Sequence, residues 1–555
     1  MLMLRDYLAG HAIYSGFYAQ YGPFAYQALS IVYPLLGLIP SNDSARISAI
    51  LIYAVTFCVW AGIAVHVLRH PAVVILFLLG LSQHLMAGTV DPGHPQDLGA
   101  LLVAICVGAV LVQRTAVSDS VQHGAAVLGG MVVGALLLTK LNLGAFVVAA
   151  LLFQAPLERY GWRVWRVGIA LLPLVLMQQR LDDEWVRYLC VLETLGLLLF
   201  LGTIRESAEP TERSALPWLA GLVAASAFIV GIEMAHGATA RALADGIVFQ
   251  HLEFASQATQ LAFVPSETFY AAAISVTLFF LVRLSRRQGW STAAIGACKL
   301  IAGATGLAYA IGFGVDYILA FGLPFVWLLI TPRAVDRGWM IFLGALALLL
   351  PLQAYPVAGT QVYLGTVPLT FLCALAFDDV VADSGSSLIH AALVLLAVVG
   401  LLYEGAALKK LADQYDELTP LALPGASFLR LPPAEVEEYQ QLTQRMKEFD
   451  AFVSQPGLLS LYLWTGRVPP THWNAGAWMR LITKPRQDDI IAALQRAEHP
   501  GAAVNLRRAA FWTEGRQDLS SALAGFLERS CTTIETIGDW EVRDCTRRVA
   551  APSAQ

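Results

Sequence analysis

Stretches of roughly 20 predominantly apolar residues recur along this chain from Ile47 to Ala406, and a helix of that length crosses a hydrocarbon core of about 30 Å. Within lipid every backbone N–H and C=O must be satisfied inside the protein, which leaves helices or closed barrels. The alternating pattern of barrel strands is absent from the sequence, so the stretches are read as helices. With 57% hydrophobic and 14% charged residues and a mean hydropathy of +0.60, the composition lies far outside that of soluble domains. About fourteen spans are expected, near 46–67, 71–88, 98–113, 122–139, 143–156, 167–180, 185–203, 216–234, 269–286, 292–312, 316–332, 338–355, 361–377 and 387–405.

Lys and Arg are disfavoured in translocated loops. Alternating through the spans, one set of loops carries Arg69, Arg114, Arg159, Arg163, Arg166, Arg205, Arg213, Arg283, Arg286, Arg287, Arg333 and Arg337. The opposite set carries Arg5, Arg46, Lys140, Arg180, Arg187 and Arg241. The richer set is assigned to the cytoplasm. The N-terminus, the Asp91 loop, the loop 235–267 and the tail after Ala406 then face outward from the inner membrane. One inner loop, with Asp378, Asp379 and Asp383, runs against the trend because it has no basic residue. An outward start implies a further helix before Met1, since residues 1–10 offer neither an apolar core nor a basic flank. Counting the run 24–39 as a span would move Arg69 outside, so it is placed along the outer surface as a re-entrant or interfacial helix.

Two domains are expected, a polytopic body at 1–405 and a soluble extracytoplasmic α/β domain at 406–555. In the tail, Val436, Tyr439, Leu442, Met446, Phe449 and Val453 recur at helical spacing after Pro432-Pro433. Leu461–Trp464 stops at Thr465-Gly466, 490–494 reads as helix, 503–506 as a strand, and 518–529 as a helix capped by Asp518. Cys58, Cys106, Cys190, Cys298 and Cys373 lie in apolar spans as small hydrophobes. Cys531 and Cys545 flank a hairpin turning at Gly538-Asp539. A three-residue turn sets them opposite each other and a two-residue turn shifts them off register, which leaves a bridge open.

The clearest polar cluster is Asp91-Pro92-Gly93-His94-Pro95-Gln96-Asp97. Its prolines and glycine make a rigid turn displaying Asp91, His94 and Asp97 at the bilayer surface. There they could orient a sugar phosphate or hold a divalent cation, Mg or Mn, through oxygen ligands. A plain interhelical turn is the alternative. Asp6 is the only carboxylate before Tyr21-Gly22-Pro23, and transfer to a hydroxyl needs a base; fraying at the terminus is the alternative. Lys140 and Asn142 stand where two short spans meet, suited to a phosphate or to snorkelling. Arg241, Asp245, His251 and Glu253 alternate with apolar residues in an interfacial helix that covers the spans or brings Arg241 near a diphosphate. His11 is read as structural, and Lys299 and Asp316 receive no role. No Walker loop, nucleotide-binding glycine motif, zinc spacing or nucleophile elbow stands in a credible context, so neither soluble nucleotide chemistry nor nucleic-acid binding is expected.

Tyr21-Gly22-Pro23, Asp91 to Gln96, Lys140 to Gly144 and the tail segment Leu461 to Pro470 together resemble bacterial GT-C glycosyltransferases of the dolichyl-phosphate-mannose/aminoarabinose transferase-like group. The resemblance implies an acid in each of the first two outer loops, many spans and an outward soluble domain. It also implies transfer of a sugar from a polyprenyl-phosphate carrier to an envelope glycan, lipid or protein acceptor. Read with it, the catalytic candidates are Asp6, Asp91 and His94, and the substrate-binding candidates are Tyr21, Gln96, Asp97, Lys140, Asn142 and Arg241. The departure is that relatives keep their principal acid just after a first span, and none precedes Asp6 here. No metal need be assumed, because Lys140 or an arginine can neutralise a phosphate leaving group. A transporter or lipid-linked glycan flippase would instead carry charges along helix interiors, and a non-catalytic envelope-assembly subunit would act through its tail.

Overall fold

The computed structural model describes residues 1–154, 161–204, 215–250, 262–288, 292–330, 336–384, 386–474, 482–513 and 521–546. The chain folds as two compact units, one of residues 1–48, 230–258 and 410–555, the other of 49–229 and 259–409. Residues 1–48 and 230–258, read from the sequence as part of the membrane body, group with the tail.

Among the described residues ten helices are long and apolar enough to cross a membrane: Asn42–Val67, Pro71–Gly88, Pro95–Thr115, Asp119–Leu137, Glu184–Thr203, Leu216–Ala235, Ala293–Gly312, Arg337–Ala354, Gln361–Ala382 and Ser387–Glu417. Leu141–Gln154, Thr268–Leu284 and Asp316–Leu329 are shorter. The span expected near 167–180 breaks into Gly161–Ala170 and Leu172–Met177, with Pro173 opening the second piece. Each expected span therefore carries helix, and ten of the fourteen meet the length and apolarity of a crossing among the described residues. The chain is a polytopic helical membrane protein with a C-terminal α/β domain.

The core of the second unit is built on Arg337–Leu349, where every residue from Trp339 to Leu349 is buried. Ser387–Glu417 is the opposite case, with Leu395 and Leu402 among its many exposed apolar side chains. A helix apolar on all sides is enclosed by protein in the first case and matched to lipid in the second. Small residues let helices touch at the backbone. A Cβ on Gly130 would fall 2.0 Å from the Trp218 carbonyl oxygen, and one on Gly221 would fall 2.1 Å from that of Val127.

In the first unit, β1 (Thr419–Pro420) pairs with β2 (Arg430–Leu431), and β3 (Ala451–Gln455), β4 (Pro500–Asn505), β5 (Thr532–Ile537) and β6 (Trp540–Asp544) form a sheet in the order β3-β4-β6-β5. β3 and β4 run parallel, as a crossover through helix Lys484–Arg496 requires. Helix Pro433–Met446 packs Tyr439, Leu442 and Met446 into a core with Trp464, Trp540 and Val542. Phe449 lies beyond that helix and Val453 sits on β3, because Asp450 ends the helical pattern by accepting the N–H groups of Glu498 and His499 at 2.9 and 3.0 Å. Asp518 lies outside the described residues. Helix Ala522–Ser530 is capped by Ser521, whose hydroxyl accepts from the Ala524 N–H at 3.3 Å.

Cys531 and Cys545 are bridged, although the turn between β5 and β6 has only the two residues Gly538-Asp539, with Ile537 opposite Trp540. A bulge at Ile534 supplies the missing residue. Below it Thr533 faces Arg543 and Thr532 faces Asp544, which brings the cysteines opposite each other.

The N-terminal segment is tied into this unit. Leu2 enters the core of Tyr439 and Trp464, and Tyr18 enters the cluster of Ile490 and Leu527. Asn42 donates to Ser460 and accepts from Trp464 Nε1, both at 3.0 Å. Asp43 accepts the N–H groups of Ser427 and Phe428 at 2.7 and 2.9 Å.

Candidate functional site

Polar candidates gather at one place in each unit. In the second unit, helix Pro71–Gly88 ends in a turn closed by Gly93 in the left-handed region, φ 78°, and Pro95 opens the next helix. His94 is the cap of that helix, its Nδ1 accepting the Gln96 N–H at 3.1 Å. The proton of its neutral ring therefore sits on Nε2. Burial and the nearby Lys140 ammonium push the His94 pKa down to about 3, so the ring is neutral at physiological pH and acts as a hydrogen-bond donor.

Lys140 stands at the start of helix Leu141–Gln154. Its Nζ is buried with no hydrogen-bond partner among the described residues, and burial lowers its pKa to about 8 against the pull of Asp91. Asp91 has an exposed surface, yet crowding around its carboxyl lifts it above the ordinary range while Lys140 draws it back. Lys140 thus acts on both Asp91 and His94.

Asp97 and Gln96 turn inward instead, each 1% exposed. Asp97 accepts from Tyr53 Oη at 2.6 Å and from the Gly93 N–H at 3.1 Å, locking the turn. Gly88 makes this possible, since a Cβ there would lie 2.4 Å from the Tyr53 hydroxyl oxygen. Gln96 donates to Thr360 Oγ1. The Asn142 amide oxygen accepts the N–H of Leu143 at 2.9 Å. These residues shape the turn around Asp91, His94 and Lys140.

In the first unit, Asp6 lies on helix Leu2–Leu8 and is 5% exposed. Its Oδ1 is 3.4 Å from His472 Nδ1, within ion-pair range but not aligned as a hydrogen bond. The His11 ring lies against His472, tilted by 40° with 4.0 Å between centroids. Burial raises the Asp6 carboxyl above its usual range, and His472, Arg5 and His11 pull it back. The acid is therefore packed rather than frayed. Nearby in sequence, Tyr7 and Gln27 donate to Glu233 Oε1 at 2.8 and 2.6 Å. Arg486 donates to the Tyr14 carbonyl at 2.9 Å and lies 4.3 Å over the Trp473 ring.

Tyr21 offers its carbonyl to the Tyr14 hydroxyl at 2.8 Å. Arg241 is 93% exposed and pairs with Asp245 at 3.8 Å on its own turn of helix, turned to solvent and away from any cluster in its unit. His251 and Glu253 lie outside the described residues. Sequence reasoning missed His472, Tyr53, Thr360 and Glu233. His472 stands just past the tail segment that ends at Pro470, and its Thr471-His472-Trp473-Asn474 setting was the available signal.

No group of three or more His, Cys, Asp or Glu among the described residues is placed to hold a metal ion. The donor set of the second unit does not fit one, because Lys140 places positive charge beside Asp91 and His94.

No family model and no curated protein matches the chain. Among solved structures it is similar to an Archaeoglobus fulgidus oligosaccharyltransferase tethered with an acceptor peptide, at 12% identity and a TM-score of 0.37, covering 92% of this chain and 64% of that one. The archaeal oligosaccharyltransferase AglB from Archaeoglobus fulgidus in complex with an inhibitory peptide and a dolichol-phosphate gives 13% identity and a TM-score of 0.38, with 97% and 67% covered. ArnT from Cupriavidus metallidurans bound to undecaprenyl phosphate gives 12% and 0.33, with 99% and 93% covered. At scores this low, none of these likenesses assigns a role to a residue of this chain.

Proposed function

We propose that the chain is a glycosyltransferase of the inner membrane that moves a sugar from a polyprenyl-phosphate carrier to a hydroxyl of an envelope glycan, lipid or protein at the outer face. The observation that carries this reading is the buried, unpartnered ammonium of Lys140 beside Asp91 and neutral His94. A buried ammonium without a hydrogen bond is costly, and an interfacial phosphate would satisfy it with a charge-assisted one. In the reaction the acceptor oxygen bonds to the anomeric carbon, the bond from that carbon to the phosphate oxygen breaks, and polyprenyl phosphate departs with the electron pair. Lys140 and the His94 Nε2–H would stabilise that charge. The acceptor proton goes to a carboxylate, and the candidates are Asp91 and Asp6.

The test is conversion of a polyprenyl-phosphate-linked sugar by the purified chain in detergent, followed by release of the lipid phosphate. Asp91→Asn is expected to abolish transfer with expression unchanged, and full activity would remove Asp91 from the chemistry. Asp6→Asn separately tests the first unit's carboxylate.

Transport is the second reading, and Glu193 favours it. This carboxyl is fully buried in the middle of Glu184–Thr203, with neither oxygen hydrogen-bonded among the described residues. Movement of an intact lipid-linked sugar across vesicles, lost in Glu193→Gln and without cleavage of the phosphate bond, would favour transport over transfer.

A further inference from the structure

One helix away from the Asp91 turn, at the other end of Pro71–Gly88, three side chains form a cluster that the proposed transfer does not use. His70 is the cap of that helix. Asp378, 4% exposed on Val367–Ser384, accepts the backbone N–H groups of Arg69 and His70, both at 3.0 Å. It thereby satisfies donors that a helix start leaves without partners. The same Oδ1 lies 2.9 Å from His70 Nδ1. With Nδ1–H held by the carboxylate, His70 presents Nε2 as a lone-pair donor.

That atom faces Nε2 of His390, in the first turn of Ser387–Glu417, at 3.1 Å. The ring centroids are 5.1 Å apart. Two imidazole nitrogens bound to a tetrahedral ion, each at about 2.0–2.1 Å, stand about 3.3 Å apart. The two rings already have nearly that separation. A carboxylate on the remote nitrogen of a ligating histidine is the usual means of fixing its tautomer and orientation. The His70 side chain is 19% exposed, so an ion can reach the pair from solvent.

We propose that His70 and His390, oriented by Asp378, bind one divalent transition-metal ion of the kind that favours imidazole, such as Zn²⁺ or Co²⁺, with water completing its coordination. The ion would clasp the turn before Pro71–Gly88 and the start of Ser387–Glu417 to the helix carrying Asp378. The role is structural, and no chemistry at the second loop depends on it.

The test is a Co²⁺ titration of the full chain, purified without a histidine tag and stripped with chelator. Saturable binding of one ion, with the visible absorption of a four-coordinate site and displacement by Zn²⁺, is expected for the wild type. His390→Gln and His70→Gln should each weaken binding at least tenfold, and Asp378→Asn, which keeps both rings, by about 10–100-fold. As a second readout, Zn²⁺ should raise the melting temperature of the wild type and not that of His390→Gln. Absence of saturable binding, or His390→Gln binding like the wild type, would reduce the pair to a plain N–H···N hydrogen bond and overturn the proposal.

Discussion

Lys140 is where a single residue says most. Burial brings its pKa to about 8 from an ordinary 10.5, so between those values the unfolded chain binds more protons than the folded one and stability rises with pH. Lys140→Met is expected to flatten that rise and to melt no lower than the wild type at neutral pH, while donor turnover falls at least tenfold. Thermal melts across the window and a turnover assay check both. Donor binding should weaken as pH rises through about 8, where the ammonium is lost. Asp6 has the opposite sign, its carboxyl raised by burial. Its contribution to stability is full below the unfolded aspartate value and disappears as pH rises through the folded one. Asp6→Asn should therefore not lower the melting temperature at neutral pH. If Asp6 is the base, wild-type activity will fail on acidification at a higher pH than an ordinary aspartate would give.

At the scale of elements, the apolar helices were legible because each is a local run whose length alone speaks for crossing lipid. The broken stretch around Pro173 was harder, since its composition is as apolar as that of an intact span. The hairpin shows what local reading misses. Its turn was placed correctly at Gly538-Asp539, but nothing in Thr533-Ile534-Glu535 marks the extra residue that restores the cysteine register. Deleting Ile534 removes the extra residue and leaves Thr533 opposite Arg543, so Cys531 and Cys545 should stay paired. Thiol counting under denaturing conditions is then expected to find five free thiols, as in the wild type. Seven thiols in the deletion variant would mean that this register does not set the pairing. Val453 shows the same limit, because helical spacing continued on paper past the end of the helix at Met446 and past Asp450, whose carboxylate accepts the N–H groups of Glu498 and His499.

For the whole molecule, the cluster of the second unit could be read in part from the sequence and that of the first could not. Asp91, His94 and Lys140 stand at the ends of adjacent apolar runs, so their meeting follows from helices of similar length side by side. The partners of Asp6 come from the tail, and no local pattern joins Asp6 to His472. The inward turn of Asp97 was equally hidden, since it depends on Gly88 leaving room for Tyr53. The proposed transfer stands on sidedness, because the lipid-linked donor and the Asp91 turn must meet on the outer face. Gly93→Cys in intact cells, treated with a membrane-impermeant maleimide, tests that directly. Labelling well above the wild-type background is expected without permeabilisation, and labelling only after the membrane is opened would contradict the outward placement and the transfer built on it.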